Sequence, residues 1–471
     1  MISRKAKIFA VRAALVASLG GLLMGFDLGV VTGALPQLKT EMSLSSNELG
    51  LVVSVMILGA LLGSLIGGFI CDLIGRWGTI MLTSVLFSLG GTLLSLAETV
   101  GMLYVGRFLV GMGIAFSCVA DVSYLSEVAH KHYRGSMVSA YELMVAVGIL
   151  FAFLIGYMFR DVEEGWRYMF AIGILLAILQ AVLMFSMPES PKWLAFKEKT
   201  SEARKVLSLS SGADDAMVEE MLNEMKIEIL EAGKVDTLSL FTHWRPQFFI
   251  SIFLVLIQQS TGNGVVLAFA PEIIESIEKS SFVLTSIDSQ YKTAVMLGLL
   301  KAFSTGIVIY KIDSIGRRKL VLFGSFFSAL SLLILCLAYV PVTDKFSFAE
   351  VLIGCSGLVT AYSVSFGPVT WVVTAELFPP PLRGRALGLS QLMNWISSFV
   401  ISAVFLDMMN IWGGFITFGC YFVSTCMGFA FLYKFLPETR GKNPEEISEA
   451  IKKNSKSGEY VAISTTGSSS C

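Results

Sequence analysis

The sequence predicts an all-α membrane protein, with twelve transmembrane helices in two pseudo-symmetric six-helix halves. Composition is the first observation: 54% of the 471 residues are hydrophobic and 15% are charged, against about 25% charged in soluble domains. The second observation is a series of apolar runs, which reach the roughly 20 residues that a membrane-spanning helix needs. The third is a duplicated set of short motifs, which divides the chain into two similar halves.

The duplicated motifs lie about half the chain apart. Asp72-Leu73-Ile74-Gly75-Arg76 recurs as Asp313-Ser314-Ile315-Gly316-Arg317. In both halves a glutamate stands seven positions before an Arg-Gly pair, and a Pro-Glu pair follows the last apolar run. These further motifs comprise Glu127 and Arg134, Glu376 and Arg383, Pro188-Glu189 and Pro437-Glu438. A near-constant offset of this kind indicates a duplicated structural unit.

The apolar runs define twelve predicted spans, and the segments between them define the predicted domains. The spans are 9–36, 50–71, 78–97, 102–126, 137–159, 168–187, 247–272, 290–312, 319–341, 350–378, 385–409 and 413–436. Residues 1–187 and 247–436 are the two predicted halves. Residues 188–246 are expected to form short amphipathic helices in an intracellular linker. Residues 437–471 are expected to be a cytoplasmic tail, largely disordered.

Lysine and arginine in the short loops set the predicted orientation. One set of connections holds Arg76, Arg134, Arg317 and Arg383, whereas acidic residues match the basic ones in the opposite set. Both termini are therefore predicted to face the cytoplasm, and the plasma membrane is the expected location.

Charge and cysteine content exclude several classes of protein. The net charge of −1 gives no basic footprint for nucleic acid. The seven cysteines lie mostly in apolar runs, with neither a disulfide framework nor metal-ligand spacing. No nucleophile–base set and no phosphate-binding Walker motif is present. We therefore expect no enzymatic activity, no cofactor and no metal, and the sequence does not fix the oligomeric state.

Several further motifs appear in a fixed order between about residues 10 and 445. They are Gly25-Phe26-Asp27-Leu28-Gly29, Gly106-Arg107, Pro188-Glu189-Ser190-Pro191, Gln258-Gln259, Gly367-Pro368-Val369-Thr370-Trp371 and Pro437-Glu438-Thr439. As a set they resemble the sugar porter family of the major facilitator superfamily, and within it the class III facilitative glucose transporters numbered ten and twelve. The resemblance implies a secondary transporter that moves a hexose or similar polyol by alternating access. Its expected partners are the sugar, a proton and the lipid bilayer.

Asp27 and Arg107 lie inside predicted spans, where an unpaired charge is costly. At 1.5 Å per residue both lie about 27–30 Å from the inner ends of their spans, so they can meet. An aspartate that alternates between arginine and a proton would couple proton movement to rocking of the halves. The resemblance agrees, because proton-linked sugar porters carry aspartate at this position while several passive members carry asparagine. A static ion pair is the alternative.

Eight charged residues at helix ends form a predicted cytoplasmic gate. An acid–arginine pair there can bridge neighbouring helices when the cytoplasmic side is closed, and so bias a two-state equilibrium. The alternative is that these charges only fix orientation. The eight residues are Asp72, Arg76, Glu127, Arg134, Asp313, Arg317, Glu376 and Arg383.

Glu142 and Lys301 are a second candidate pair inside the membrane. They lie about 12 and 18 Å above the inner ends of their helices, a difference that long side chains can span. A buried lone charge would tend to neutralise, so we expect one compensated pair. The resemblance implies that amides usually occupy these two positions and touch the sugar. The alternative is two independent ionisable groups in a wet cavity.

Amides and tryptophans complete the predicted sugar site. Amides donate and accept hydrogen bonds, which suits a polyhydroxylated ligand, and tryptophan faces pack against the C–H face of a sugar ring. The alternative is that the amides bond between helices and the tryptophans anchor interfaces. Adjacent glutamines cannot share one helix face, so at most one is expected to face the centre. The predicted residues are Gln258, Gln259, Asn263, Trp371, Asn394 and Trp395.

Two departures from the family pattern, two interpretations of the glycines and two competing functions remain. Asn263 is displaced by one residue, about 100° around a helix, from the asparagine usual in the family. Glycines in the first and seventh spans, and Gly367-Pro368 in the tenth, mark either bends or close helix packing. Ile149 stands where many members have a second glutamine. The competing functions are a passive hexose facilitator and a sugar receptor that does not transport.

Overall fold

A computed structural model describes residues 4–128, 134–234, 237–270, 273, 287–340, 348–442 and 444–457, and every regular element among them is helical. The first half contains α1 (Arg4–Ala17), α2 (Leu19–Glu41), α3 (Ser46–Ser95), α4 (Val100–Val128), α5 (Arg134–Phe159) and α6 (Gly165–Met184). The connecting segment contains α7 (Pro191–Phe196), α8 (Thr200–Ser211), α9 (Asp215–Lys234) and a 3-10 turn at Thr237–Leu240. The second half contains α10 (Arg245–Ser260), α11 (Asn263–Ala268), α12 (Ile287–Ile315), α13 (Arg317–Ala338), α14 (Phe348–Val364), α15 (Phe366–Glu376), α16 (Pro380–Ile411) and α17 (Gly413–Phe435). Within the predicted tail, α18 spans Pro444–Ser457.

Eleven of the described helical stretches are long and apolar enough to cross a membrane. One of them, Asn47–Ser95, has 49 residues and at 1.5 Å per residue would be about 74 Å long, more than twice the hydrocarbon core. Gly75 interrupts it with φ 88° and ψ 172°, a conformation that glycine adopts without strain. The stretch is therefore two spans, and the predicted twelve-helix, all-α fold is confirmed.

Glycines in α2 bring it close to α5. Gly21, Gly25, Gly29 and Gly33 recur every four residues, so they share one face of the helix. A β-carbon added at Gly33 would lie 2.9 Å from the Cα of Gly156, closer than real side chains approach. The helix runs unbroken from Leu19 to Glu41. For these glycines close packing, rather than bending, describes the structure.

The seventh and tenth spans are broken helices. Gly262 separates α10 from α11 and has φ 71°, a left-handed conformation that favours glycine. Ser365 separates α14 from α15, two residues before Gly367-Pro368. The helices are therefore broken at Gly262 and beside Gly367-Pro368, two of the positions where the sequence allowed a bend. Both lie in the second half.

The two halves pack through antiparallel helices. Helix α5 packs along α12, and α3 packs along α16. At one end of the bundle the Thr32 hydroxyl donates to the Leu267 carbonyl at 3.1 Å, and the Tyr291 hydroxyl donates to the Gly33 carbonyl at 2.9 Å. We refer to the other end, which holds Arg76 and Arg317, as the arginine rim. The halves are thus joined at the end opposite the arginine rim.

The connecting helices have a small core of their own. Leu194 on α7, Leu207 on α8 and Leu222 on α9 are buried against one another in an apolar cluster. Helix α18 buries Ile447 and Ile451 against the second half. The connecting helices therefore pack on one another, and α18 packs on the second half, each through an amphipathic face.

Candidate functional site

Asp27 and Arg107 meet in the interior of the first half. The Arg107 guanidinium donates through Nη1 to both carboxylate oxygens of Asp27, at 2.7 and 2.8 Å. Its Nε donates to the Val52 carbonyl of α3 at 3.2 Å. The side chains are 1% exposed for Arg107 and 8% exposed for Asp27. A single arginine thus connects three helices, and each buried charge has a partner, as burial requires.

Gln258 and Gln259 both make side-chain contacts, but with different helices. The Gln258 amide donates to the Tyr362 hydroxyl at 2.8 Å and to the Phe366 carbonyl at 3.3 Å. The Gln259 amide donates to Asn394 Oδ1 on α16 at 2.6 Å. The two glutamine side chains therefore point to different neighbouring helices, because adjacent residues lie on different faces of one helix.

Several polar atoms beside these glutamines are buried without a hydrogen-bond partner among the described residues. They are Oε1 of Gln258, Oδ1 of Asn263 and Nε1 of Trp395. Asn263 begins α11 immediately after the break at Gly262, and Trp395 follows Asn394 on α16. Buried polar groups are nearly always hydrogen-bonded, so unmatched atoms of this kind are suited to ligand contacts. Trp371, also predicted for the site, is half-buried on α15.

Glu142 and Lys301 face each other across the interface between the halves without touching. Each lies within electrostatic reach of the other, but in the described part of the chain no ion pair within 4.0 Å joins them. The Lys301 ammonium instead lies 5.2 Å from the centre of the Tyr362 ring, a cation–π arrangement. Their action as a compensated pair stays a prediction.

The first half has a clamp at the arginine rim, built from an arginine and two glutamates. The Arg76 guanidinium donates to Glu127 at 3.0 Å, and the Ser190 hydroxyl also bonds to Glu127. The Glu189 carboxylate accepts from the backbone N–H groups of Arg76 at 3.0 Å and Trp77 at 3.1 Å. It therefore caps the helix that restarts after Gly75, where free N–H groups need acceptors. Burial raises the pKa of the Glu189 carboxyl, although these N–H bonds oppose the shift.

The second half repeats the clamp. The Arg317 guanidinium donates to Glu376 at 3.0 Å, and the Thr439 hydroxyl bonds to Glu376 at 2.5 Å. The Glu438 carboxylate accepts from the backbone N–H groups of Arg317 at 2.9 Å and Arg318 at 3.2 Å. Gly316, just before them, has φ 97°. The duplicated sequence motifs thus form duplicated contacts.

The remaining predicted gate residues are placed as follows. Asp72 is exposed and lies 3.3 Å from the Arg76 guanidinium. Arg383 is half-buried at the start of α16. The side chains of Arg134 and Asp313 lie outside the described residues. Both arginine–glutamate contacts at the rim join helices of the same half.

Sequence reasoning missed four residues of this region. Glu189 and Glu438 were visible as a repeated Pro-Glu pair, but their capping role was not. Tyr362, which contacts both Gln258 and Lys301, carried no signal beyond its place in an apolar span. Asp121 was visible as a charge inside the predicted span 102–126, and it is fully buried on α4.

Comparison with known proteins identifies the protein family. Residues 13–451 match the family described as Sugar (and other) transporter. The arabinose-proton symporter of Bacillus subtilis is 31% identical over 94% of this chain and 95% of its own length. The human solute carrier family 2, facilitated glucose transporter member 12, is 29% identical over 96% of this chain and 86% of its own length.

Solved structures agree with the sequence comparison. The inward open conformation of the xylose transporter XylE from E. coli superimposes with a TM-score of 0.79 at 27% identity, covering 94% of this chain and 99% of that one. The proton:xylose symporter XylE bound to 6-bromo-6-deoxy-D-glucose gives a TM-score of 0.78 at 25% identity, covering 94% of this chain and 99% of that one. The fold and the order of its helices are therefore those of a major facilitator transporter.

Proposed function

Because this chain belongs to the sugar transporter family, we propose that it carries a hexose or similar polyol by alternating access and couples that movement to a proton. Membership of the family makes the protein an integral membrane transporter rather than an enzyme. The sugar class, the proton and the roles of individual residues are our proposal.

The buried contact between Asp27 and Arg107 is the observation that carries the coupling. Arg107 stabilises the ionised carboxylate of Asp27 through two charge-assisted hydrogen bonds. A proton on Asp27 would neutralise the carboxylate and so weaken its attraction to Arg107. Arg107 also holds the Val52 carbonyl of α3, two residues from Gly50, which faces Leu406 of the second half. Protonation of Asp27 can therefore change how α3 sits against α16. This links the proton to the contact between the halves, which alternating access must rearrange.

The proposed sugar site is built mainly from the second half. Its broken helices α10/α11 and α14/α15 expose backbone and amides near the centre of the bundle, a common device of secondary transporters. Gln258, Gln259 and Asn394 supply donors and acceptors for sugar hydroxyls, and Trp395 supplies a flat apolar face. We also assign Trp371 and Asn263 to this site.

Glu142 and Lys301 contribute to the proposed site from α5 and α12. They place one charge of each sign at the boundary between the halves. Charged groups form stronger hydrogen bonds to hydroxyls than amides do. We therefore assign them to contacts with sugar hydroxyls as well as to each other.

Orientation and location complete the proposal. The arginine rim faces the cytoplasm, by the positive-inside rule, and both termini lie on that side. The plasma membrane is the proposed location. The eight hydrogen bonds described for the two clamps stabilise the cytoplasmic ends of the halves.

Uptake into proteoliposomes tests the coupling. Asp27→Asn is expected to abolish proton-driven accumulation of sugar while sparing sugar exchange at equal concentrations on both sides. Asp161→Asn is the matched control, because Asp161 pairs with Arg160 at an exposed position. The control is expected to transport like the unmodified protein. If unmodified transport leaves the lumenal pH of weakly buffered vesicles unchanged, the coupling role is wrong.

A passive facilitator is the second candidate function. It is favoured by the similarity to the facilitated glucose transporter member 12 and by an Asp27–Arg107 contact that is already charge-balanced. In that case neither protein would accumulate sugar or move protons, and Asp27→Asn would slow sugar exchange and equilibrating uptake alike. A receptor that binds sugar without moving it would show binding but no uptake.

A further inference from the structure

Asp121 is a second buried carboxylate of the first half, and the Asp27–Arg107 pair does not include it. It lies on α4 and is 0% exposed. The Ser117 hydroxyl, one turn earlier on the same helix, donates to its Oδ2. Its Oδ1 meets no hydrogen-bond partner in the described part of the chain. Among those residues no lysine or arginine forms an ion pair with it.

The groups that face Asp121 from the packed helices are polar but bear no positive charge. The Tyr141 hydroxyl of α5 lies 3.2 Å from the Ser117 hydroxyl and within electrostatic reach of Asp121. The Cys118 thiol lies beside them on α4, and Glu142 of α5 lies within electrostatic reach of that thiol. From α2, Gly20 faces the carboxyl directly. A lone carboxylate in such surroundings is held in its neutral, protonated form, because ionisation without a partner is too costly.

Gly20 makes this burial possible. A β-carbon at that position would clash with the carboxyl of Asp121 and would lie 2.6 Å from the Ser117 hydroxyl oxygen. With no side chain in between, the backbone of α2 covers the carboxyl directly. A small displacement of α2 from α4 would therefore expose the carboxyl to water.

Asp121 also lies between two sites already described. Gly20 is seven residues from Asp27 on α2, about 10 Å along the helix. Glu127 of the arginine-rim clamp is six residues from Asp121 on α4, about 9 Å in the other direction. The three carboxyl groups are thus spaced along the first half from its interior to its rim.

We propose that Asp121 is a second proton-binding group of this carrier, neutral while α2 covers it and ionised when α2 moves away. On exposure the carboxylic acid gives its proton to water on the arginine-rim side and becomes a carboxylate. It is reprotonated from the Asp27 side before α2 covers it again, so that each cycle carries one proton toward the arginine rim. The role in transport rests on the proposed coupling at Asp27, whereas the protonation itself does not.

Infrared spectroscopy of the purified full-length carrier tests the protonation directly. A buried carboxylic acid absorbs at a C=O stretching position where carboxylates do not. We expect this band at neutral pH, shifted in deuterated water, and absent in Asp121→Asn but present in Asp27→Asn. If Asp121→Asn retains the whole band, Asp121 is ionised and the proposal is wrong.

Transport assays then test the role. Asp121→Asn keeps the shape and the acceptor for Ser117, so a structural role alone would leave the pH dependence of uptake unchanged. We expect a shift of the pH profile and at least a several-fold loss of proton flux per sugar moved. Asp161→Asn is the control: it neutralises an exposed aspartate outside this site and is expected to retain proton flux. An unchanged pH profile in Asp121→Asn overturns the role, even if Asp27→Asn uncouples transport.

The two proposals fail in different ways. Without coupling in the unmodified protein, proton flux is absent from every variant, yet the infrared band still reports Asp121. With coupling at Asp27 alone, Asp27→Asn abolishes proton flux while Asp121→Asn behaves like the unmodified carrier.

Discussion

The interiors of the two halves differ in chemistry although their rims match. The first half holds ionisable groups in tight packing: the Asp27–Arg107 contact, the buried Asp121 and a glycine-lined seam between α2 and α5. The second half instead holds amides that bond across helices, such as Gln259 to Asn394, and helices that break. At the rim, Glu189 and Glu438 cap helix starts in the same way.

This difference indicates a division of labour inside a duplicated fold. Charges paired in a dry, rigid half suit a switch that changes state with one proton. Amides on broken helices suit a ligand with many hydroxyls, because they adapt donor and acceptor roles. The matching clamps indicate that both halves must keep a firm end at the arginine rim, whichever ligand they bind.

The largest expected effect comes from breaking the charge pair of the first half. Arg107→Met strands Asp27 in the interior, which should lower the free energy of unfolding by about 3–5 kcal/mol. Gln259→Met is the matched change in the second half and removes a neutral hydrogen bond worth about 1 kcal/mol. Thermal unfolding in detergent, followed by size-exclusion chromatography, compares the two. Equal losses would contradict the proposed contrast.

A glycine pair tests the packing difference. Gly25→Ala places a β-carbon against the Val145 carbonyl of α5, and overpacking of this kind costs about 1–3 kcal/mol. Gly264 in α11 has nothing within 4 Å of such an atom, so Gly264→Ala should be neutral or stabilising by about 0.5–1 kcal/mol. The same unfolding assay measures both. Equal destabilisation by the two alanines would show that the seam is not specific to the first half.

The clamps should behave alike, because their contacts are duplicated. Glu127→Gln and Glu376→Gln are each expected to slow turnover about tenfold, or about 1.4 kcal/mol of barrier, with little change in sugar affinity. Neutralising Glu376 or Arg383 should also favour states open at the arginine rim. Initial uptake rates, sugar binding and the accessibility of a cysteine probe in the inner vestibule measure this, with the exposed Glu163→Gln as control. Slower turnover in only one of the two glutamine variants would show that the two clamps are not equivalent.

The smallest effect concerns the two charges at the boundary between the halves. Glu142 and Lys301 interact without contact, so a double-mutant cycle of Glu142→Gln and Lys301→Asn should give a coupling of about 1 kcal/mol. The double variant should recover stability and favour the sugars that typical family members carry. Strictly additive losses in unfolding temperature and uptake would show that the two side chains act independently.

Much of this fold could be predicted from the sequence, because membrane spans and duplicated motifs are strong local signals. Charges inside apolar runs pointed to Asp27 and Arg107, and the structure brings them together at 2.7 Å. The twelve spans followed from length and hydropathy alone, including the break that Gly75 makes in a 49-residue stretch.

The rest depended on contacts between distant parts of the chain. Glu189 caps a backbone 113 residues away, and no local pattern indicates that partner. The sequence spacing drew attention to Glu127 with Arg134, whose side chain lies outside the described residues. The structure pairs Glu127 with Arg76 from another helix, which the spacing did not indicate. Asp121 was an equally visible charge, but a single sequence cannot say which neighbouring helix covers a side chain.

The paired caps have a mechanical consequence. Glu189 lies just beyond the last span of the first half, and its carboxylate accepts hydrogen bonds from backbone N–H groups in the middle of that half. Glu438 makes the equivalent contacts in the second half. In each half these bonds close a loop of chain from the middle of the half to its end, and both partners belong to the same half. A polypeptide cut between α8 and α9 is expected to yield two fragments that each fold in the membrane and then join into a working carrier.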